Sequence, residues 1–304
     1  MLPVTSTCDN RHPMPDRNRV ALTGGTEVPV AGCHLRQLIR RYPVTGFYIA
    51  TLAISWTGAL MVAIPNLARH QAVPKSSGLL MFPIMLLGPS VAGLAMTRIV
   101  DGRRGVRDLL ARMRCPRVHR RWYPVLLIPP ALVLAVLLAL QSFVAPVFAP
   151  NRFFIGLSFG VAAGFFEEIG WMGYAFPKLR RRRGTLAAGI LLGLLWGLWH
   201  LPVIDYLGTA TPHAPYLLAY FLAFAAAMMA IRILIAWLYD NTSSVLLAQL
   251  MHASSTGALV AFSPPGVTAA QETFWYAVYA CALWSIVACL IAINDCLRRA
   301  REHS

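Results

Sequence analysis

Two adjacent carboxylates, Glu167 and Glu168, lie inside an apolar stretch that runs from about residue 153 to residue 177. A carboxylate at membrane depth is costly, so two neighbours in such a stretch are candidates for function. His200 and His252 lie in two further apolar segments of the chain. A carboxylate base and two imidazoles in a dry cavity are a set that can activate water. These four residues therefore predict an acid–base site, and hydrolysis is the chemistry that it suits.

The composition indicates a membrane protein built of helices. The 304 residues are 57% hydrophobic and only 13% charged, and the mean hydropathy is +0.58. A soluble domain of this size could not bury so much apolar surface. We predict an all-α polytopic transmembrane bundle, because about eight segments are long enough to cross a bilayer. The predicted spans are about 44–65, 78–98, 123–148, 153–177, 185–204, 215–238, 243–262 and 274–294.

The basic residues predict how the spans are oriented. Of the 27 lysines and arginines, 23 lie in the amino-terminal tail, the loops 98–121 and 178–183, and the carboxyl-terminal tail. The loops of opposite parity hold only Arg69, Lys75 and Arg152. Because cytoplasmic loops collect Lys and Arg, both termini are expected in the cytoplasm. This predicts a multi-pass protein of the cell membrane, which in a bacterium is the inner membrane.

The same pattern divides the chain and limits its partners. Residues 1–34 are predicted as a disordered cytoplasmic tail, 35–297 as the transmembrane domain with its core at about 153–262, and 298–304 as a basic tail. The net charge of +15 raises the question of nucleic acid, but no nucleic-acid-binding motif is present. The expected partners are the lipid bilayer and a peptide or protein substrate. The stretch 106–121 mixes Leu and Met with arginines, and is either a helix along the cytoplasmic surface or a solvated loop.

Glycine ladders suggest how the candidate residues meet. Span four carries Gly156, Gly160 and Gly164 at intervals of four, and span five carries another such ladder, at 189, 193 and 197. Small residues at this spacing let helices approach closely in lipid, so we expect spans four and five to pack through their glycines. Span seven has Thr256 four residues after the histidine at 252, on one helix face. By contrast, the loop residues His70 and His213 belong to no pattern of this kind.

Three segments resemble the motifs of a known family. They are FFEEIGWMGYAFPKL (165–179), GLLWGLWHLP (193–202) and NTSSVLLAQLMHASSTG (241–257). In order, they resemble the three motifs of the CPBP (Abi) intramembrane proteases, relatives of the type II CAAX prenyl endopeptidase. The first family pattern is Glu-Glu-x-x-x-Arg. The second is an aromatic residue followed by three others and then His, which Trp196 and His200 fill here. The third is His followed four residues later by Asn or another polar residue.

The resemblance implies a role for each matching residue. Glu167 would be the general base that activates water, and His200 would hold that water. His252 and Thr256 would stabilise the developing oxyanion. Trp196 fills the aromatic position of the second motif and is expected to support the site.

The chain departs from the family pattern at two positions. Met172 stands where the family has Arg, and Thr256 stands where Asn is usual. The first change removes a cation that would pair with the glutamates. Arg232 lies within span six at a depth similar to that of Glu168, and a buried arginine needs a partner. We therefore expect Arg232 to supply the missing charge from another helix and Glu168 to position its own helix through that pair.

Two questions stay open in the sequence. Zinc is a possible cofactor with Glu167, His200 and His252 as ligands, but the HExxH helix motif is absent, so a metal-free site with no cofactor is favoured. The expected function is an intramembrane endopeptidase acting on membrane-associated peptides or proteins. The alternative is a catalytically impaired membrane scaffold or immunity-type protein, which the two departures favour. A proton-coupled transporter is a third interpretation, but no internal repeat supports it.

Overall fold

A computed structural model describes the backbone of residues 31–302 and the side chains of residues 36–296. Residues 1–30 of the predicted disordered tail lie outside this range, and 31–34 belong to the first helix. At the other end the last helix continues to Glu302, so 303–304 of the predicted basic tail lie outside it.

The predicted all-α class is confirmed, because the described residues form helices and contain no strand. Residues 31–302 contain ten α-helices, which are α1 (Ala31–Arg41), α2 (Pro43–Leu67), α3 (Ser77–Val100), α4 (Gly102–Met113), α5 (Ile128–Phe143), α6 (Gly156–Gly170), α7 (Phe176–Trp199), α8 (Leu217–Thr242), α9 (Val245–Phe262) and α10 (Ala269–Glu302).

Six segments of the described chain are helical, long and apolar enough to cross a membrane, which makes this a multi-pass membrane protein. They are α2, α3, α5 with the turns before it from Arg120, α8, α9 and the part of α10 up to Cys296. The predicted span 153–177 is shared among α6, a π-helical turn (Trp171–Ala175) and the start of α7. The predicted span 185–204 is the second half of α7 and the 3-10 turn after it.

Helix α7 changes direction at Gly184, which separates a basic segment from an apolar one. Gly184 has a φ of +75°, a conformation that glycine adopts without steric cost. Residues 178–183 before it are Lys178, Leu179 and four arginines, whereas the residues after it are apolar. The sequence-based span boundary at 185 coincides with this change. At its other end α7 stops at Trp199, and a 3-10 turn that contains Pro202 follows.

The predicted glycine-to-glycine packing of spans four and five is wrong. A Cβ added at Gly160 would lie 2.3 Å from the carbonyl oxygen of Ala253, and one at Gly164 would lie 2.3 Å from that of Gln249, so the glycine face of α6 meets α9. In α7, a Cβ at Gly193 would lie 2.7 Å from the Cα of Met229, so that ladder meets α8. Each ladder allows close packing as expected, but spacing along one helix does not identify the partner helix.

Helix α4 covers the face of the bundle that carries the arginine-rich loops. Its Leu109 is fully buried and lies against Gly173 of the π-helical turn. Its Arg112 donates a hydrogen bond of 2.8 Å to the carbonyl oxygen of Gly173 and a second one to Tyr239. The predicted stretch 106–121 is thus helical as far as Met113, whereas residues 114–119 after it form no helix.

Candidate active site

Glu167 and Glu168 occupy the last turn of α6, where the backbone widens into the π-helical turn Trp171–Ala175. Single π-helical turns are rare in proteins as a whole, and those that occur are often found at functional sites. Consecutive positions on a helix are rotated by about 100°, so the two carboxylates point in different directions. The structure gives them different partners for this reason.

The carboxylate of Glu168 is held inside the bundle by two basic side chains. Nη1 of Arg232 donates to Oε1 at 2.7 Å and to Oε2 at 2.8 Å. Nδ1 of His252 lies 2.6 Å from Oε1. Glu168 and Arg232 are 0% exposed and His252 is 1% exposed, so this group is removed from solvent. A buried carboxylate needs such partners, and these hydrogen bonds fix the position of Glu168 inside the bundle.

The carboxylate of Glu167 accepts hydrogen bonds from two indoles instead of from cations. Oε2 accepts from Nε1 of Trp196 at 2.7 Å and from Nε1 of Trp171 at 3.3 Å. The side chain is 3% exposed and borders an internal cavity. Neutral donors orient the carboxylate without saturating its second oxygen, so Glu167 can still accept a proton from a molecule in the cavity.

The two histidines are fixed through Nδ1 and leave Nε2 for other partners. Nδ1 of His200 lies 2.8 Å from the carbonyl oxygen of Trp196, and a carbonyl can only accept, so Nδ1 carries the proton. Nδ1 of His252 faces Glu168 in the same way. In both cases the protein sets the ring orientation, and Nε2 is the nitrogen left for substrate or water.

Trp196 lies at the centre of the group and contacts most of its members. Its ring centroid lies 5.0 Å from that of His252 and 5.5 Å from that of His200. The guanidinium carbon of Arg232 lies 4.2 Å from the same ring, which is cation–π geometry. Trp196 thus separates the Arg232–Glu168 pair from the cavity while it donates to Glu167.

One cavity of about 530 Å³ connects the residues that the sequence singled out. Glu167, His200, His252, Thr256 and Trp196 all line it. Glu168 and Arg232 do not, because they form the ion pair behind it. The remaining lining is mostly apolar, with residues such as Met81, Phe82, Met85, Leu86, Phe224, Met228 and Leu259. The structure therefore brings all seven predicted site residues together in two layers, a cavity wall and a buried support.

Two positions bear on the departures from the family motif. Met172 is fully buried in the apolar core beside the π-helical turn. The cation that contacts Glu168 comes from α8, a different helix. Within residues 31–302, no group of three or more His, Cys, Asp or Glu side chains is arranged to hold a metal ion.

Sequence reasoning missed two features of this region. Trp171 lies four residues after Glu167, on the same helix face, and this spacing could have identified it as a donor to Glu167. The second feature is a buried cluster beyond the cavity, in which His213 bonds to Asp205 at 2.9 Å and to Glu272 at 3.1 Å. No helical spacing marks His213, because Asp205 lies eight residues before it in a 3-10 turn and Glu272 lies 59 residues after it in α10.

Comparison with known proteins agrees with this geometry. Residues 131–257 match the family model of the type II CAAX prenyl endopeptidase Rce1-like proteins. A 93-residue stretch is 36% identical to CAAX prenyl protease 2 of Methanococcus maripaludis and covers 30% of this chain and 34% of that relative. The chain thus matches about a third of the relative's length. The region matched by the family model contains both glutamates, both histidines and Arg232, and in this region the chain is similar to the Rce1-like endopeptidases.

Proposed function

We propose that this protein is an intramembrane endopeptidase that cleaves membrane-associated peptides or proteins. The observation that carries the proposal is the position of Glu167, whose carboxylate faces a mostly apolar cavity. His200 and His252 line the same cavity, and their hydrogen bonds through Nδ1 leave Nε2 for a substrate or water. A base in a site with little water suits hydrolysis, because competing solvent is excluded and electrostatic interactions are stronger.

In the proposed reaction Glu167 takes a proton from a water molecule as the water oxygen attacks the peptide carbonyl carbon. His200 orients that water through Nε2, which accepts its second hydrogen. His252, as an imidazolium next to the Glu168 carboxylate, and the hydroxyl of Thr256 donate hydrogen bonds to the oxyanion. The proton held by Glu167 then passes to the leaving amine nitrogen as the carbon–nitrogen bond breaks. Glu168, Arg232 and Trp196 position these groups.

A metal-free reaction is the form that we favour. Oε2 of Glu167 already accepts two indole N–H groups, and these neutral donors suit a carboxylate that exchanges protons. The competing form uses zinc bound by Glu167, His200 and His252. Chelation distinguishes the two, since cleavage by the purified protein should persist after exhaustive treatment with a strong chelator if no metal takes part.

The test of the function is cleavage by purified protein reconstituted in lipid vesicles. Membrane-associated peptides, with and without a prenyl group, serve as substrates, because the relative that matches is named a CAAX prenyl protease. We expect Glu167→Gln to reduce the rate by about 10²-fold to 10⁴-fold, the usual contribution of a general base. Asp108→Asn, the same chemical change on the exposed side of α4, should leave the rate unchanged. Cleavage by Glu167→Gln at the parental rate would refute the proposed base.

A catalytically impaired scaffold or immunity-type protein is the second candidate. The observation that favours it is the buried Met172 in the position where the family motif has a cation. In this case the parental protein and Glu167→Gln would give equal, background levels of cleavage. We place the protein in the cell membrane, and in a bacterium in the inner membrane, with the bilayer and the substrate as its partners.

A further inference from the structure

The arginine-rich loops converge on one face of the bundle, and this face is closed over the active site. Lys178 bonds to Asp101 at 2.6 Å, and Arg180 pairs with Asp240. These contacts join the end of α3, the start of α7 and the end of α8. The buried Leu109 of α4 lies directly against the π-helical turn that follows the glutamates.

The loops of the opposite face meet around the other end of the cavity. Nζ of Lys75 donates to the carbonyl oxygen of Thr209 at 2.7 Å. The hydroxyl of Thr209 donates to the carbonyl oxygen of Pro264 at 2.7 Å. The N–H of Asn151 donates to the carbonyl oxygen of Phe262 at 3.0 Å. These contacts join the connections between α2 and α3, α5 and α6, α7 and α8, and α9 and α10.

The cavity extends from Glu167 to this second face. Its lining includes one or more residues from each of the four connections, namely Ser76, Asn151, Thr209 and Ser263. None of its lining residues comes from the arginine-rich segments 98–121 and 178–183. Since the arginine-rich face is the cytoplasmic one by the distribution of basic residues, the cavity leads away from the cytoplasm.

We propose that substrates reach Glu167 from the non-cytoplasmic side of the membrane, through the mouth formed by Ser76, Asn151, Thr209 and Ser263. This inference rests on the proposed function and narrows its substrate class. The substrate would be an exported or membrane-spanning polypeptide that presents an apolar segment on the outer side. A tail that is confined to the cytoplasm would not reach the base.

Thiol accessibility in intact cells tests the direction of access without relying on catalysis. Cysteine is introduced singly at Ser76 on the mouth, at Thr256 in the cavity wall and at Arg182 on the opposite face. Cells are treated with a small membrane-impermeant thiol reagent before or after permeabilisation. Peptide mass spectrometry then measures modification at each introduced residue, so the native cysteines do not interfere.

We expect Ser76→Cys and Thr256→Cys to be modified in intact cells, and Arg182→Cys to be modified only after permeabilisation, with at least a tenfold difference. Modification of Arg182→Cys in intact cells would overturn the inference. So would a Thr256→Cys residue that reacts only once the cytoplasmic face is opened. A reaction of each purified variant in denaturant establishes that its thiol is intact.

A pair of reporters separates this inference from the proposed function. Each reporter is a single-span protein with the same cleavable apolar segment, placed at the outer boundary in one and at the cytoplasmic boundary in the other. Cleavage of the outer reporter alone, lost in Glu167→Gln, supports both statements. Cleavage of the cytoplasmic reporter alone overturns the direction of access and leaves the proteolytic function in place. Cleavage of neither refutes the function, and the labelling result still decides the direction.

Discussion

Two neighbouring glutamates acquire different chemical roles from their partners. Glu168 meets a guanidinium and an imidazole, whereas Glu167 meets two indoles and a cavity. Removing one partner of an ion pair buried in a bundle strongly destabilises the protein, because the other partner is left as an isolated buried charge. The Glu168–Arg232 pair is therefore expected to affect both folding and the alignment of the reacting groups.

Arg232→Met should destabilise the protein by about 3–5 kcal/mol, the usual result of leaving a buried charge unpaired. Thermal unfolding in detergent measures the stability, and the cleavage assay measures the accompanying loss of activity. The control is Arg180→Met, which breaks the partly exposed pair with Asp240 and should cost no more than about 1 kcal/mol. Normal membrane yield and full activity in Arg232→Met would contradict the positioning role.

A second group of charges lies near the cavity mouth, around His213. Its ring is fully buried, stacks on Tyr220 at 3.8 Å and bonds to Asp205 and Glu272. Burial by itself would lower the pKa of His213, but the hydrogen bonds and charges of Glu272 and Asp205 outweigh it, so the pKa is raised. Glu272 also accepts from the N–H groups of Thr209 and Ala210, which ties the rim to α10.

The raised pKa of His213 predicts that stability falls as the pH rises. The folded state binds this proton more tightly than the unfolded state does. The stabilisation is therefore complete below the ordinary pKa of about 6.5 and is lost as the pH rises through the higher folded-state pKa. Melting temperatures from pH 5.5 to 9 should decline in the parent, and His213→Gln should flatten that decline. The exposed His119→Gln is the control, and a slope unchanged by His213→Gln would contradict the assignment.

At the scale of helices, small residues set the distance between α6 and α9. A Cβ at Gly160 would lie 2.4 Å from the backbone nitrogen of Gly257, and backbone atoms cannot rotate away as a side chain can. The same two helices carry the glutamates and His252. Their separation therefore determines whether Nδ1 of His252 reaches Glu168.

Gly160→Ala should cost about 1–3 kcal/mol, because overpacking forces the helices apart. The control is Gly46→Ala in α2, where the added Cβ would meet its nearest side-chain atom at 3.9 Å. That change should be neutral or stabilise by up to about 1 kcal/mol, since alanine is the better helix former. The unfolding temperature in detergent compares the two variants, and an equal shift in both would show that close packing at Gly160 is unimportant.

At the scale of the whole molecule, charge and cavity point to opposite faces. The basic segments lie on the face closed by α4, and the cavity reaches the face with few basic residues. The distribution of Lys and Arg among the loops determines the orientation of the protein in the membrane, whereas the cavity results from how the helices pack. The direction of access is therefore a property of the complete bundle.

Fusions to the carboxyl terminus measure that orientation. Green fluorescent protein joined after Ser304 should fluoresce, and alkaline phosphatase at the same site should be inactive, because the basic residues hold this end in the cytoplasm. A phosphatase inserted after Arg69, in the connection between α2 and α3, provides the opposite control and should be active. An active enzyme after Ser304 would reverse the predicted topology.

The sequence by itself determined the helical class, most span boundaries and the residue types of the site. These depend on local properties, since hydropathy sets the length of a span and the cost of burying charge marks Glu167, Glu168, His200 and His252. The family motifs added the role expected of each residue. The predicted pairing of Glu168 with Arg232 also followed from sequence, because depth in the membrane can be counted along each helix.

Only the tertiary structure decided which helices touch. Spacing places glycines on a face but does not identify the facing helix, so the predicted contact between spans four and five was wrong. The different partners of the two carboxylates, the indole donor Trp196, the contact of His213 with Glu272 and the direction of the cavity all depend on contacts between segments far apart in the chain. Such contacts are set by how whole helices pack, which residue spacing within one helix does not specify.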